Sequence, residues 1–377
     1  MNRQKSSPRF RFVGAALLLP VLMLLVRAVR EGDGTLYLLA AAVPAAMLIC
    51  CTLMARMFSM DRLLLSLSLY LCILGIPALA VPDASAALAH ALRVAASLAA
   101  LLAGAVLIRS LSSSVLTSLC TGFLGVLLLA VFLVSPGRSL PLSEAALALL
   151  LISFASCLSR GGSLTALLPA AAGLALLLAQ NALADAVLWT AVFLLLLWAS
   201  DGRLLPMLLA LGTAGLLFFG FRLLVPLSQP PAQESSALPA LLSGGWVGAD
   251  PLPEEFPSFG DSLLPRLAGL YGLPFAGLTV FLFLPLVLRG TAVASSARAR
   301  FHGLIAMGAS LFIGLRTLAA LLSLFGFLPL PGLAFPLLTV SLPSLCAQMF
   351  LLGLVCGIAG RNEADLAEDA HLAMLAR

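Results

Sequence analysis

The stretch Ser243–Gly277, SGGWVGADPLPEEFPSFGDSLLPRLAGLYGLPFAG, is where the one long polar segment of the chain runs back into an apolar span. From about Leu227 that segment is rich in Pro, Ser and Gly, carries Glu234, Asp250, Glu254, Glu255 and Asp261, and has no Lys or Arg before Arg266. Such a run between two apolar segments reads as an acidic loop at a membrane edge.

Working outward, the chain is 62% hydrophobic and 10% charged with a mean hydropathy of +1.12, which excludes a water-soluble fold of 377 residues. A helix needs about 20 apolar residues to cross the hydrocarbon core, and only helices or closed barrels satisfy the backbone there. The long Leu/Ala runs exclude a barrel. The expectation is an all-α polytopic membrane bundle of about 12 spans: 12–29, 35–57, 62–81, 86–108, 114–134, 143–159, 163–180, 184–200, 204–226, 263–288, 303–327 and 333–359. With the N-terminus in the cytoplasm, Arg3, Lys5, Arg9, Arg11, Arg56, Arg62, Arg109, Arg160, Arg203, Arg289, Arg298, Arg300, Arg361 and Arg377 fall inside, against Arg27, Arg30 and Arg138 outside. Both termini are then cytoplasmic and the loop 228–262 is extracytoplasmic.

The net charge of +5 reflects membrane orientation and anionic lipid. No basic patch with interleaved aromatics suggests a nucleic-acid partner. The seven cysteines all sit in apolar runs without CxxC spacing, and the three histidines are far apart, so disulfide and zinc roles are not expected. Residues 1–60 read as a basic leader and an accessory two-helix hairpin closed by the charged break Arg56–Arg62; no small-residue cleavage site follows the first span. Residues 61–360 form the core and 361–377 a cytoplasmic tail. His90 and Arg93, three apart on one helical face, are expected to pair structurally.

From Asp61 onward the order of features resembles a known family. Ser143-Glu144 opens a helix, Gln180-Asn181-Ala182-Leu183-Ala184-Asp185 lies between two short spans, and Gly244, Gly245 and Gly248 precede Asp261, with Gly272-Leu273 and Gly277 following. Leu328-Pro329-Leu330-Pro331-Gly332-Leu333-Ala334-Phe335-Pro336 comes next, and then a turn in which Ser344 stands. These resemble, in order, the Gln-Pro-Ser-Glu, Gln-Pro-Asp-Leu-Gly-Thr, Gly-Gly-x-x-Gly…Asp…Gly-Leu, Leu-Pro-x-x-Gly-x-x-x-Pro and Ser-Tyr-Gly-Gly-Ser-Ser motifs of the shape, elongation, division and sporulation (SEDS) family, which includes FtsW, RodA and SpoVE. Departures are plain: the family's acidic residue in the second motif falls on Ala182, with Asp185 three positions on. Leu270-Tyr271 replaces a Glu-Glu pair, and Arg316 stands where the family usually has Gln.

The resemblance implies a peptidoglycan glycosyltransferase that polymerises lipid II on the outer face of the bacterial cytoplasmic membrane with a class B penicillin-binding protein. Its partners would be lipid II, that protein and membrane lipids. No cofactor is certain, and a divalent cation is compatible with the reading. The reaction needs a base for the attacking sugar hydroxyl and cationic help for the departing pyrophosphate. Asp261 is the candidate general base, and Arg222, Arg266, Arg316, Glu144, Gln180 and Ser344 are candidates for substrate binding.

Each has a plainer reading. Asp261 precedes an apolar span and could cap its helix, as could Ser143-Glu144. Arg222 and Arg266 could snorkel to the interface. Glu144 could be the counter-charge of one of the arginines. Degenerate motifs fit a catalytically weak scaffold of a division or sporulation complex. Buried arginines beside Pro/Gly-broken helices also fit a lipid-linked flippase or transporter, although no internal repeat is evident.

Overall fold

The computed structural model describes residues 8–81, 84–134, 142–202, 204–224, 242, 244–249, 262–328 and 333–375. Among these every regular element is a helix: α1 (Pro8–Glu31), α2 (Gly34–Met57), α3 (Arg62–Ile73), α4 (Gly75–Leu79), α5 (Ala84–Ser110), α6 (Val115–Val134), α7 (Ser143–Ser159), α8 (Ser163–Ala179), α9 (Leu183–Asp201), α10 (Leu204–Leu224), α11 (Leu264–Tyr271), α12 (Leu273–Phe281), α13 (Phe283–Ser295), α14 (Arg300–Leu324) and α15 (Leu342–Leu375). The protein is an all-α, multi-pass membrane bundle, and among the described residues eight helical spans are long and apolar enough to cross a membrane. Three apolar helices, over 115–131, 143–159 and 163–179, are shorter.

Each of the twelve predicted runs carries helix, but two are reshaped. The run 263–288 breaks at Gly272, whose φ of +87° ends α11 after eight residues, and Pro274 then opens α12. The run 333–359 is helical only from Leu342; residues 333–341 are irregular, though Ala334 through Thr339 are buried. Pro336 removes a backbone donor there, and Leu337 takes φ +64°, which a right-handed helix cannot contain. Apolar composition recorded burial in this segment, and burial does not require a helix.

The bundle is built around α7, buried over nearly its whole length, with α9, α14 and α15 against it. The tightest helix pair is α5 with α15. A Cβ on Gly353 would run into the backbone carbonyl of Leu101, and one on Gly104 into that of Phe350, so small residues let the two backbones touch. The hairpin α1–α2 packs on α3, α4 and α5.

At one end of the bundle Asp61 caps α3, accepting from the amides of Leu63 (2.9 Å) and Leu64 (3.3 Å), and is clamped by Arg289 Nη2 (2.5 Å) and Nε (2.7 Å). His90 donates Nε2–H to the Cys72 carbonyl at 3.3 Å and makes no hydrogen bond to Arg93 among the described residues; the expected pair is not formed, because the ring turns toward α3. The opposite end holds the beginnings of α7, α9, α11 and α15.

Candidate functional site

At that opposite end, four helices bring together side chains far apart in the chain. Glu144 lies in the first turn of α7, yet it does not cap that helix: Leu142 occupies the cap position without a side-chain bond, and Glu144 turns into the bundle, 3% exposed. Its Oε1 accepts from Arg316 Nη2 at 2.8 Å and from the hydroxyl of Ser344, and its Oε2 accepts from Gln348 Nε2 at 2.8 Å. Arg316, on α14, also reaches Asp185 in the first turn of α9, with Nη1 3.2 Å from Oδ1, while the other Asp185 oxygen accepts from Ser143 at 3.0 Å. Glu144 is therefore the counter-charge of Arg316, and Asp185 is a second one.

The network is closed on most sides. Arg316 and Glu144 are almost wholly buried, and Asp185 keeps 17% of its side chain exposed. Two carboxylates face one guanidinium, so the cluster carries a formal charge of −1. Ions out of water persist only when paired and hydrogen-bonded, which explains why each Glu144 oxygen has a donor.

Two bonds carry the network into the irregular segment 333–341. Arg316 Nε donates to the Ala334 carbonyl at 3.4 Å, and the Leu337 amide donates to Gln348 Oε1 at 2.5 Å. A leucine at φ +64° costs about 1–2 kcal/mol, so the surrounding bonds must impose it. The segment then meets the start of α11: the Leu263 amide donates to the Leu338 carbonyl at 3.0 Å, and Ser262 and Thr339 form an antiparallel bridge.

The glycine-rich turn at 244–248 packs against the end of α11. The Ala249 amide donates to the Gly269 carbonyl (2.8 Å) and the Leu273 amide to the Gly245 carbonyl (2.9 Å). A Cβ on Gly244 would collide with the carbonyls of Ala268 and Gly269, so this backbone-to-backbone approach requires glycine.

Of the residues predicted for the site, Glu144, Arg316 and Ser344 meet directly. Gln180 stands apart: it caps the end of α8, donates Nε2–H to the Leu129 carbonyl at 2.7 Å, and its buried Oε1 has no partner among the described residues. Arg266 lies half-buried on α11 and forms no hydrogen bond or ion pair among the described residues, with its Nε enclosed. Asp261 and the Arg222 side chain lie outside the described residues. Sequence reasoning passed over Gln348 and Leu337. Gln348 left a signal, being a polar side chain one turn beyond Ser344 in an apolar run; Leu337 left none.

Residues 260–364 match the family model described as Cell cycle protein, FTSW_RODA_SPOVE. The chain is 32% identical over 110 residues to the probable peptidoglycan glycosyltransferase FtsW of two Geobacter sulfurreducens strains; the match spans 29% of this chain and 29% of the length of those relatives. The fold extends the likeness. A chain of a peptidoglycan synthase complex that coordinates polymerization and crosslinking superposes with a TM-score of 0.62 at 21% identity, covering 81% of this chain and 98% of that one. The Thermus thermophilus rod shape determining protein RodA superposes with a TM-score of 0.57 at 22% identity, covering 81% and 98%. The family match falls on the residues that hold Arg316, Leu337, Ser344 and Gln348, and over about four fifths of its length the chain is similar in fold to RodA and to that chain of the synthase complex.

Proposed function

We propose that the chain is a peptidoglycan glycosyltransferase that polymerises lipid II at the outer face of the bacterial cytoplasmic membrane, with both termini in the cytoplasm. The observation that carries this is the match of residues 260–364, which begin at the junction between the polar loop and α11, to the FTSW_RODA_SPOVE model, together with 32% identity over 110 residues to a probable peptidoglycan glycosyltransferase FtsW. Both reactants are lipid-anchored, so the reaction belongs at a membrane edge. The 4-hydroxyl oxygen of one sugar attacks the anomeric carbon of the lipid-linked donor. The bond from that carbon to the pyrophosphate breaks, the hydroxyl proton passes to a base, and the lipid pyrophosphate leaves. Asp261 is the base in this reading.

The arginines divide by their surroundings. Arg316 is engaged by Glu144 and Asp185, so we assign it, with Glu144 and Ser344, to holding the site end of the bundle. Arg266 has no acidic partner among the described residues and is the cation suited to the departing pyrophosphate. Gln180 and Arg222 remain candidates for contacts to the substrate. A class B penicillin-binding protein is the partner, supported by the likeness to a chain of a synthase complex that couples polymerization to crosslinking.

One observation favours a second reading, a scaffold without catalysis: Leu270-Tyr271 stands where the family has a Glu-Glu pair. Lipid II polymerisation by the purified chain with its penicillin-binding partner separates the two. Loss of a general base lowers the rate by about 100- to 10,000-fold, whereas loss of a helix cap costs only about 1 kcal/mol of stability. Leu263, without a side-chain bond, holds the cap position of α11, and Asp261→Asn, which cannot take the proton, is expected to abolish polymer. Near wild-type polymerisation by that variant removes Asp261 as the base, and assembly of the wild type without any polymer makes the chain a scaffold.

A further inference from the structure

The bonds of the buried network do not stop at side chains. Gln348 donates its amide hydrogens to Glu144 Oε2 (2.8 Å) and Ser344 Oγ (3.0 Å), and its carbonyl oxygen accepts from the Leu337 amide (2.5 Å). The next peptide, Leu338, accepts from Leu263, and the one after, Thr339, bridges Ser262. A route of direct contacts thus runs from the ion pair Glu144–Arg316, through one amide side chain and three consecutive peptides, to the last residue of the polar loop and the first after it. We propose that Gln348 is a positioning residue. By holding Leu337 in its left-handed conformation it fixes Leu338 and Thr339, and through them Ser262 and Leu263, at the point where the polar loop enters α11. The effect on turnover rests on the glycosyltransferase reading of that junction.

The residue type is dictated by the geometry. A carboxamide offers two donors and an acceptor from one side-chain end, matching the bonds to Glu144, Ser344 and Leu337, whereas a hydroxyl has a single donor. Leucine at position 348 fills the space but leaves Glu144 Oε2 and the Leu337 amide buried without these bonds. A glutamate there sets a second carboxylate against Glu144. Leu337 is held at positive φ only by its surroundings, whereas glycine adopts that conformation without the Cβ penalty. Gln348 and Leu337 are therefore linked: a glycine at 337 needs Gln348 less.

The test uses the full chain with its penicillin-binding partner, lipid II as substrate, and hydrogen exchange read by mass spectrometry on the same preparations. A small misplacement of reacting groups costs up to about 100-fold in rate, so Gln348→Leu is expected to lower kcat by about 10- to 100-fold with KM unchanged. Exchange is expected to rise together at 334–339 and at 262–264, and Leu337→Gly added to Gln348→Leu is expected to recover part of kcat. A merely structural role predicts lower thermal stability with kcat intact and no rescue by glycine. Wild-type kcat in Gln348→Leu, or exchange rising at 334–339 with 262–264 unmoved, overturns the proposal. Gln348→Asn, one methylene shorter, is read in the same way if the leucine variant does not fold. A wild type that polymerises nothing refutes the glycosyltransferase reading, while the paired exchange change still decides whether Gln348 holds the junction.

Discussion

Removing Arg316 tests the charge arithmetic of the buried network. Arg316→Met keeps most of the apolar stem and takes away a guanidinium bonded to Glu144 at 2.8 Å and to Asp185 at 3.2 Å. Hydrogen bonds to charged groups contribute about 1.5–3 kcal/mol each, and removing one partner of a buried pair costs about 3–5 kcal/mol because the other stays charged and desolvated. Glu144, 4% exposed at its side chain, bears nearly the full penalty; Asp185, 17% exposed, recovers part of it from solvent. We expect a loss of about 3–5 kcal/mol. Asp185→Asn should behave differently. It leaves one carboxylate for one guanidinium, and the amide oxygen can still accept from Arg316, so the loss should be about 1 kcal/mol or less. The assay is unfolding in mixed micelles by titration with a denaturing detergent, followed by fluorescence of Trp189. That ring is 1% exposed and bonded to the Ala170 carbonyl at 3.1 Å, and Trp198 and Trp246, both exposed, are replaced by Phe in the parent. A loss below about 1 kcal/mol for Arg316→Met, or equal losses for the two variants, would refute the assignment of the ion pair as the tie between α7, α9 and α14.

Gly353→Ala places a methyl group against the Leu101 backbone, which cannot yield as a side chain does; a loss of about 1–3 kcal/mol is expected in the same unfolding assay. Gly212→Ala, with nothing within 4 Å of the added Cβ, should instead gain up to about 1 kcal/mol from helix propensity. Ser235→Cys should react with an impermeant thiol reagent from outside intact cells, and reaction only from the cytoplasmic side would invert the proposed orientation.

Much of the architecture was legible in the chain because the membrane imposes a local rule: a span must be a long apolar run, whatever it packs against. The spans, the hairpin closed at Arg56–Arg62 and the motifs around Asp261 that resemble the family's are all readable without a partner residue. Arg316 could be marked as a site from the cost of a charge in an apolar run, and Glu144 and Ser344 from motifs that resemble the family's. Only the tertiary structure decided what they do. Glu144 and Gln348 are 204 positions apart and Asp185 and Arg316 are 131 apart, so their pairing depends on which helices become neighbours. The same holds for Ser143 and Glu144, which suit a helix cap by type and position but turn to Asp185 and Arg316. It holds most for residues 333–341, whose hydropathy suits a span. Their backbone is bent by Pro336 and Leu337, and its hydrogen bonds are completed by Gln348 and Leu263, contacts that no local pattern encodes.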